Sequence, residues 1–443
     1  MNINKGNILE KLNPADCFTL AMDEEIRRDG LAGSQCGLVL ELSNCPDITA
    51  LQQRISEFSQ RFPVAQASLQ QIGRHFYWCK RDAPPPLFFQ HHCPNDGNGV
   101  DFQQATIARL MNHKQARETT PPIEFHLLTG TTRNAFVIRW IHPFCDARGA
   151  DLILKFLCTA DDAQRQQFGL PATAPLVNVQ LGKYRWWQKI NLLLKGKRYI
   201  TKLDSLQSIQ PFANGQPPQR LNYSVQRLSV AQTEQVNKLA RQYVGLTGTS
   251  LYYIGCLMRA LEKLQPDNPG EAYCAPYAFN LRKQRALSPM IGNHVCALFA
   301  QAPRSMVKDR QQLFGHLKQQ NTQVIRQQLD YAFLPLMWAG SWLSLAEYGK
   351  TLRLSYGSGK ERSSFWFSDI GQLNLLADSF PGAEITGLFH TCQVTAPPAL
   401  ALLCCIYQSQ LTLSYNFVEP ISTPEEIGKL HQLMLAELLG ETQ

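Results

Sequence analysis

Residues 135–149 read Ala135-Phe136-Val137-Ile138-Arg139-Trp140-Ile141-His142-Pro143-Phe144-Cys145-Asp146-Ala147-Arg148-Gly149, and the fold is decided there. Ala135 to Ile141 is dominated by β-branched and aromatic residues, which predicts a strand. His142 to Gly149, with its proline and glycine, predicts a loop, and Ala150 to Cys158, rich in Leu, Ile and Phe, predicts a helix. A histidine therefore lies where a strand ends, and Pro143 restricts its backbone. Imidazole there is suited to take a proton from a hydroxyl or amine near neutral pH. Asp146 need not face back toward His142 across a loop, so a structural role for it is favoured over a triad.

Working outward, Cys36 to Leu42 alternates with Leu38, Leu40 and Leu42 on one face, which predicts a half-buried strand. Ile48, Leu51, Ile55, Phe58 and Phe62 recur at helical steps behind an Asp47 N-cap, and Pro63 ends the helix. Leu170 to Leu181 is aperiodic and proline-containing, and it places a boundary between lobes spanning 1–175 and 176–443. Past a second loop, Ser205 to Gln219, a helix is predicted over Thr249 to Leu264 and strands over Tyr273 to Asn280, Val295 to Gln301 and Leu411 to Phe417. Thr423-Pro424-Glu425-Glu426 is a capping box opening a last helix through Ile427, Leu430, Met434 and Leu438. No short-period repeat is visible, which argues against a solenoid.

With 443 residues, 44% of them hydrophobic and 18% charged, the chain can bury two cores. A formal charge of +8 suits acidic partners, including the phosphates of CoA, as readily as nucleic acid. No finger spacing and no RNP-like strand supports a nucleic-acid module. Thirteen cysteines, an odd number without a C-x-x-C pair, predict reduced, buried thiols rather than a disulfide framework. His91-His92-Cys93 cannot easily close a tetrahedral site, so no metal is expected. The start has no apolar h-region and no run is long enough to span a bilayer, so a cytoplasmic protein is expected. Gly357-Ser358-Gly359-Lys360-Glu361 lacks the spacing of a phosphate loop and predicts a mobile loop instead.

His142-Pro143-Phe144-Cys145-Asp146-Ala147-Arg148-Gly149 resembles the active-site signature of the condensation-domain, chloramphenicol acetyltransferase and BAHD superfamily of acyltransferases. Pro276-Tyr277-Ala278-Phe279-Asn280-Leu281-Arg282 followed by Ile291-Gly292-Asn293 is similar to its P-x-x-x-N-x-R and G-N stretch, and Phe367-Ser368-Asp369-Ile370-Gly371 to its S-N-x-G segment. The order of these segments, from Leu12-Asn13-Pro14 to Leu438, carries more than any one of them. The resemblance implies an α+β fold of two chloramphenicol-acetyltransferase-like lobes, each a mixed sheet flanked by helices, meeting at a V-shaped cleft with a central tunnel. It further implies an acyltransferase with His142 as general base, acting directly between an acyl-CoA or acyl-carrier-protein thioester and a small-molecule or lipid-like hydroxyl or amine acceptor. No permanently bound cofactor is implied, and a monomer suffices because both lobes lie in one chain.

Under that resemblance Asp146, Arg282 and Gly149 would support the site, with Arg282 as the cation for a buried Asp146. Asn293, Ser368, Asp369 and Gly371 would contact substrate, and Ser368 or an amide near Gly371 is a candidate oxyanion donor. Relatives usually carry glycine directly after the aspartate. Here it stands at 149, so the loop is expected to be lengthened or the turn taken over by Gly149. Two other readings are open: a stand-alone condensation domain joining carrier-bound substrates, and a catalytically silent relative using the cleft for binding.

Gly182 to Asp204 carries Lys183, Arg185, Lys189, Lys195, Lys197, Arg198 and Lys202, interleaved with Trp186, Trp187, Ile190, Leu193 and Leu194. Such a helix fits a membrane interface through 183–202 or an acidic carrier. The plainer expectation is tryptophans packed on the C-terminal lobe, lysines in water, and an interruption at Gly196.

Overall fold

A computed structural model describes residues 5–81, 89–93, 99–130, 133–166, 176–212, 214–246, 248–282, 291–329, 331–356 and 361–441. Two sequence expectations fall outside them: the first half of the boundary stretch, 170–175, and the loop at 357–360.

A five-stranded sheet is ordered β12 (Ile385–Cys392), β2 (Gln35–Leu42), β7 (Asn134–Ile141), β6 (Ile123–Thr129) and β5 (Phe89–His92), antiparallel except for the β5–β6 pair. A six-stranded mixed sheet is ordered β10 (Val295–Pro303), β9 (Ala272–Asn280), β11 (Trp366–Gln372), β13 (Leu400–Tyr407), β14 (Gln410–Glu419) and β8 (Arg220–Arg227). A small antiparallel sheet joins β1 (Ile8–Lys11), β4 (His75–Cys79) and β3 (Ser68–Ile72). Helices flank both large sheets, as in an α+β protein of two lobes.

β12 comes from the last quarter of the sequence yet pairs along β2, Leu388 opposite Leu40 and Cys392 opposite Cys36. The first core consequently runs from Leu38, Ile138 and Phe156 across to Tyr223, Leu403 and Val418 of the second sheet. The second core lies between that sheet and the helices Thr249–Leu264 and Pro424–Leu439. The Thr423–Glu426 capping box is present, with Pro424 in the first turn.

Three local expectations are corrected. β2 is buried on both faces rather than one, because the helices Gly99–Met111 and Ala147–Cys158 both pack against it. The helix expected from Ala150 starts at Ala147, since Asp146 caps it by accepting the Gly149 amide at 2.8 Å. The helix Trp186–Leu203 runs unbroken through Gly196, whose missing side chain admits a neighbouring helix. Among the described residues, no helix is long and apolar enough to cross a membrane.

Candidate active site

β7 has partners on both sides, and its register sets Ile141 opposite Gln35 on β2. His142 follows, its amide donating to Ser34 O at 2.8 Å. The chain then turns, Phe144 N donating to Ile141 O at 2.9 Å, and the Trp140 indole reaches forward to Cys145 O at 2.8 Å. The strand thus holds both ends of a short loop over which His142 is partly exposed.

Asp146 closes that loop and is buried. One carboxylate oxygen accepts the Gly149 amide, and the other accepts Arg282 Nη1 at 2.8 Å and the His294 amide at 2.9 Å. Arg282 also donates to Gly292 O at 2.9 Å, which ties the end of β9 to the approach of β10. Burial pushes the Asp146 pKa up, but Arg282 and the two backbone amides outweigh it and hold the carboxyl below its ordinary value. The charge is therefore kept, and the loop is pinned from one lobe to the other.

Gly149 does not take over a turn. It sits in the first turn of the helix, where a Cβ would lie 2.8 Å from Cys145 Cβ and 3.3 Å from Gly292 N. Its role in the fold is close approach, and the left-handed backbone falls to Gly292 at φ 126°.

Asn293 is fully buried, behind the histidine rather than on an open wall. Its Nδ2 donates to His142 O at 2.8 Å and to Asp16 Oδ1 at 3.0 Å. Asp16 is held in turn by the Asn13 amide in the capping box that opens the helix Pro14–Arg28. His142 Nδ1 and Asn293 Oδ1 are both buried without a hydrogen bond of good geometry among the described residues. Burial lowers the His142 pKa, opposed by the residue's own backbone, the Asp146 carboxylate and the Asn293 side chain.

Ser368, Asp369 and Gly371 lie on β11, near the centre of the second sheet. Asp369 accepts from Ser250 Oγ at 2.7 Å and from the Gly371 amide at 2.9 Å, so that amide is already committed. Burial raises the Asp369 pKa. Arg148 reaches this strand from the first lobe, packing its guanidinium against Gly371 and lying 3.5 Å from Gln372 O. It also stands 3.6 Å from Asp151, whose other oxygen is 3.2 Å from the buried His390. The Arg148–Asp151–His390 group was not signalled by sequence, because its members come from two distant segments. Asp16 was legible in principle, since Asn13-Pro14-Ala15-Asp16 has capping-box spacing.

None of the thirteen cysteines, all of them among the described residues, is in a disulfide, and nine are buried. Among the described residues no cluster of metal-ligating side chains is found. An open groove of about 520 Å³ between the helix Gly99–Met111 and β8 does not include His142.

No family model and no curated relative matches the chain. Solved structures do. A trichothecene 15-O-acetyltransferase from Fusarium sporotrichioides superposes at TM-score 0.71 and 11% identity, over 100% of this chain and 97% of that one. The first condensation domain of the calcium-dependent antibiotic synthetase, in complex with a substrate analogue, gives 0.70 and 13%, over 97% and 96%. Polyketide synthase associated protein 5 from Mycobacterium tuberculosis gives 0.67 and 14%, over 98% and 100%. Likeness over whole chains at such identities establishes a shared fold.

Proposed function

We propose that this chain, which has the two-lobed fold of condensation domains and acetyltransferases, is an acyltransferase that uses His142 as its general base. The observation that carries the reading is the brace behind His142. Arg282, at the end of β9, and Asn293, on the approach to β10, reach across to Asp146 and to the His142 carbonyl of one five-residue loop, which carries the histidine at its partly exposed edge. Such bracing of the loop that carries one histidine supports a role in proton transfer.

In this mechanism donor and acceptor are bound together. His142 Nε2 takes the proton of the acceptor hydroxyl or amine as its oxygen or nitrogen bonds to the thioester carbonyl carbon. The C–S bond then breaks, and the imidazolium returns the proton to the leaving thiolate. Holding both substrates makes the attack effectively unimolecular, so no covalent enzyme intermediate is needed. Asp146 and Arg282 act as scaffold. The donor is an acyl-CoA or a carrier-bound thioester, and the acceptor a small or lipid-like molecule.

The test is release of free thiol from a panel of acyl-CoAs and phosphopantetheine-loaded carrier proteins, with alcohol and amine acceptors. Acceptor-dependent release that falls by about 10²-fold or more in a folded His142→Ala variant is expected. Equal, background release from both proteins with every donor would refute the reading and leave a binding module.

A further inference from the structure

The helix Trp186–Leu203 has two faces. Leu192, Gly196 and Leu203 are buried. At Gly196 a Cβ would lie 2.9 Å from Leu336 Cδ1 and 3.0 Å from Ala332 O, so this side is seated tightly on the Phe333–Gly340 helix. On the other side Trp186, Trp187, Ile190 and Leu194, at helical steps, expose 70%, 47%, 50% and 46% of their surface. The tryptophans are thus not packed on the C-terminal lobe. Beside this helix Trp338 and Trp342 are exposed as well; Lys189 Nζ lies 5.7 Å from the Trp338 ring, and the two indoles meet edge-on at 6.1 Å. Four of the chain's seven tryptophans are therefore exposed on adjoining elements, far more than scattered surface residues would supply.

The charge on this helix has one sign. Seven lysines and arginines fall between positions 183 and 202 with no acid among them. The next acid, Asp204, is taken by Arg362 at 2.6 and 2.7 Å. Lys195, Lys197, Arg198 and Lys202 are exposed and form no ion pair among the described residues. A second copy of the chain meeting this face about a two-fold axis would set like charge against like. A continuous anionic plane suits it instead: the 18-residue helix, about 27 Å long, carries basic residues and no acid, and tryptophan favours the boundary between headgroups and acyl chains.

We propose that this face docks peripherally on an anionic lipid surface, with the indoles of Trp186, Trp187, Trp338 and Trp342 in the headgroup layer and the basic half of the helix on the lipid phosphates. The proposal does not depend on the acyltransferase reading. It is tested with the full chain by co-sedimentation with vesicles of phosphatidylcholine alone and of phosphatidylcholine and phosphatidylglycerol in equal parts. The expected partition coefficient is at least about tenfold higher on the mixed vesicles, and W186A/W187A and K195Q/K197Q/R198Q/K202Q each lower it about tenfold or more. All six residues are exposed, so both variants should unfold at the wild-type urea midpoint. Equal binding to both vesicles, no binding to either, or variants that bind like the wild type would overturn the proposal. A dimer in light scattering that W186A/W187A dissolves would assign the face to a second copy instead.

Discussion

Arg282→Met isolates the brace of the candidate site. The variant keeps much of the side-chain volume and removes the cation that faces Asp146 at 2.8 Å in a buried setting. Breaking a buried ion pair from one side costs about 3–5 kcal/mol, because the remaining charge stays desolvated. Asp146 would retain the Gly149 and His294 amides at 2.8 and 2.9 Å, which places the expected loss near the lower end, about 3 kcal/mol. The pH dependence gives the sharper signature. In the wild type the folded pKa of Asp146 lies below its ordinary value, so its contribution is present above the unfolded pKa of about 3.9 and is lost as pH falls through the folded value. Without Arg282, burial dominates and the folded pKa rises above the unfolded one, so the variant sheds stability as pH climbs. The gap between the two proteins should thus be widest at neutral pH and narrow on acidification toward about pH 4. Urea unfolding at both pH values measures it, and Asp146→Asn completes a double-mutant cycle. A gap under about 1 kcal/mol at neutral pH, one that does not change with acid, or additivity within about 0.5 kcal/mol would refute the reasoning.

Gly149→Ala should destabilise by about 1–3 kcal/mol through overpacking, since the new methyl meets Cys145 and the Gly292 backbone; a neutral urea midpoint would show that this approach relaxes. Asn293→Leu keeps the volume but removes the donor to His142 O and Asp16, at about 1–3 kcal/mol. It also removes one of the groups that oppose the burial-driven fall in the His142 pKa, so the imidazole should titrate at still lower pH. NMR titration of the ring protons reads that shift directly, and an unmoved or raised titration would separate Asn293 from the histidine.

Elements governed by local chemistry were legible. Thr423 to Glu426 carries its cap, proline and capping partner within four residues, and the helix begins there. Asp47 capping and Pro63 termination bracket the helix Ile48–Arg61 equally well. What the pattern could not give was settled by contacts far apart in sequence. Alternating leucines in β2 do not reveal that the intervening residues are covered too, because part of that cover comes from the distant helix 99–111, whose Met111 lies over Gly37. Gly196 reads as a helix breaker in isolation, at about 1 kcal/mol relative to alanine. It is retained in an unbroken helix because the Phe333–Gly340 helix comes too near for a side chain. Gly149 raised the same ambiguity: a glycine can mark a turn or an approach, and of the two residues that crowd it, Cys145 is local but Gly292 lies 143 positions away.

The same long reach explains how the candidate site is held. β12 returns to pair with β2, so the second half of the chain completes the sheet whose central strand ends at His142. Asn416 of the other sheet accepts Thr391 Oγ1 at 2.6 Å and the Cys392 amide at 3.1 Å, stitching β12 to β14. Arg148 meets β11 from the helix that Asp146 caps. The histidine loop therefore does not sit on one lobe facing a loosely hinged partner. Its sheet, the helix that follows it and its ion pair each reach the other half, so a displacement of either half would strain the buried Asp146–Arg282 contact together with the hydrogen bonds of Asn416 and Asn293.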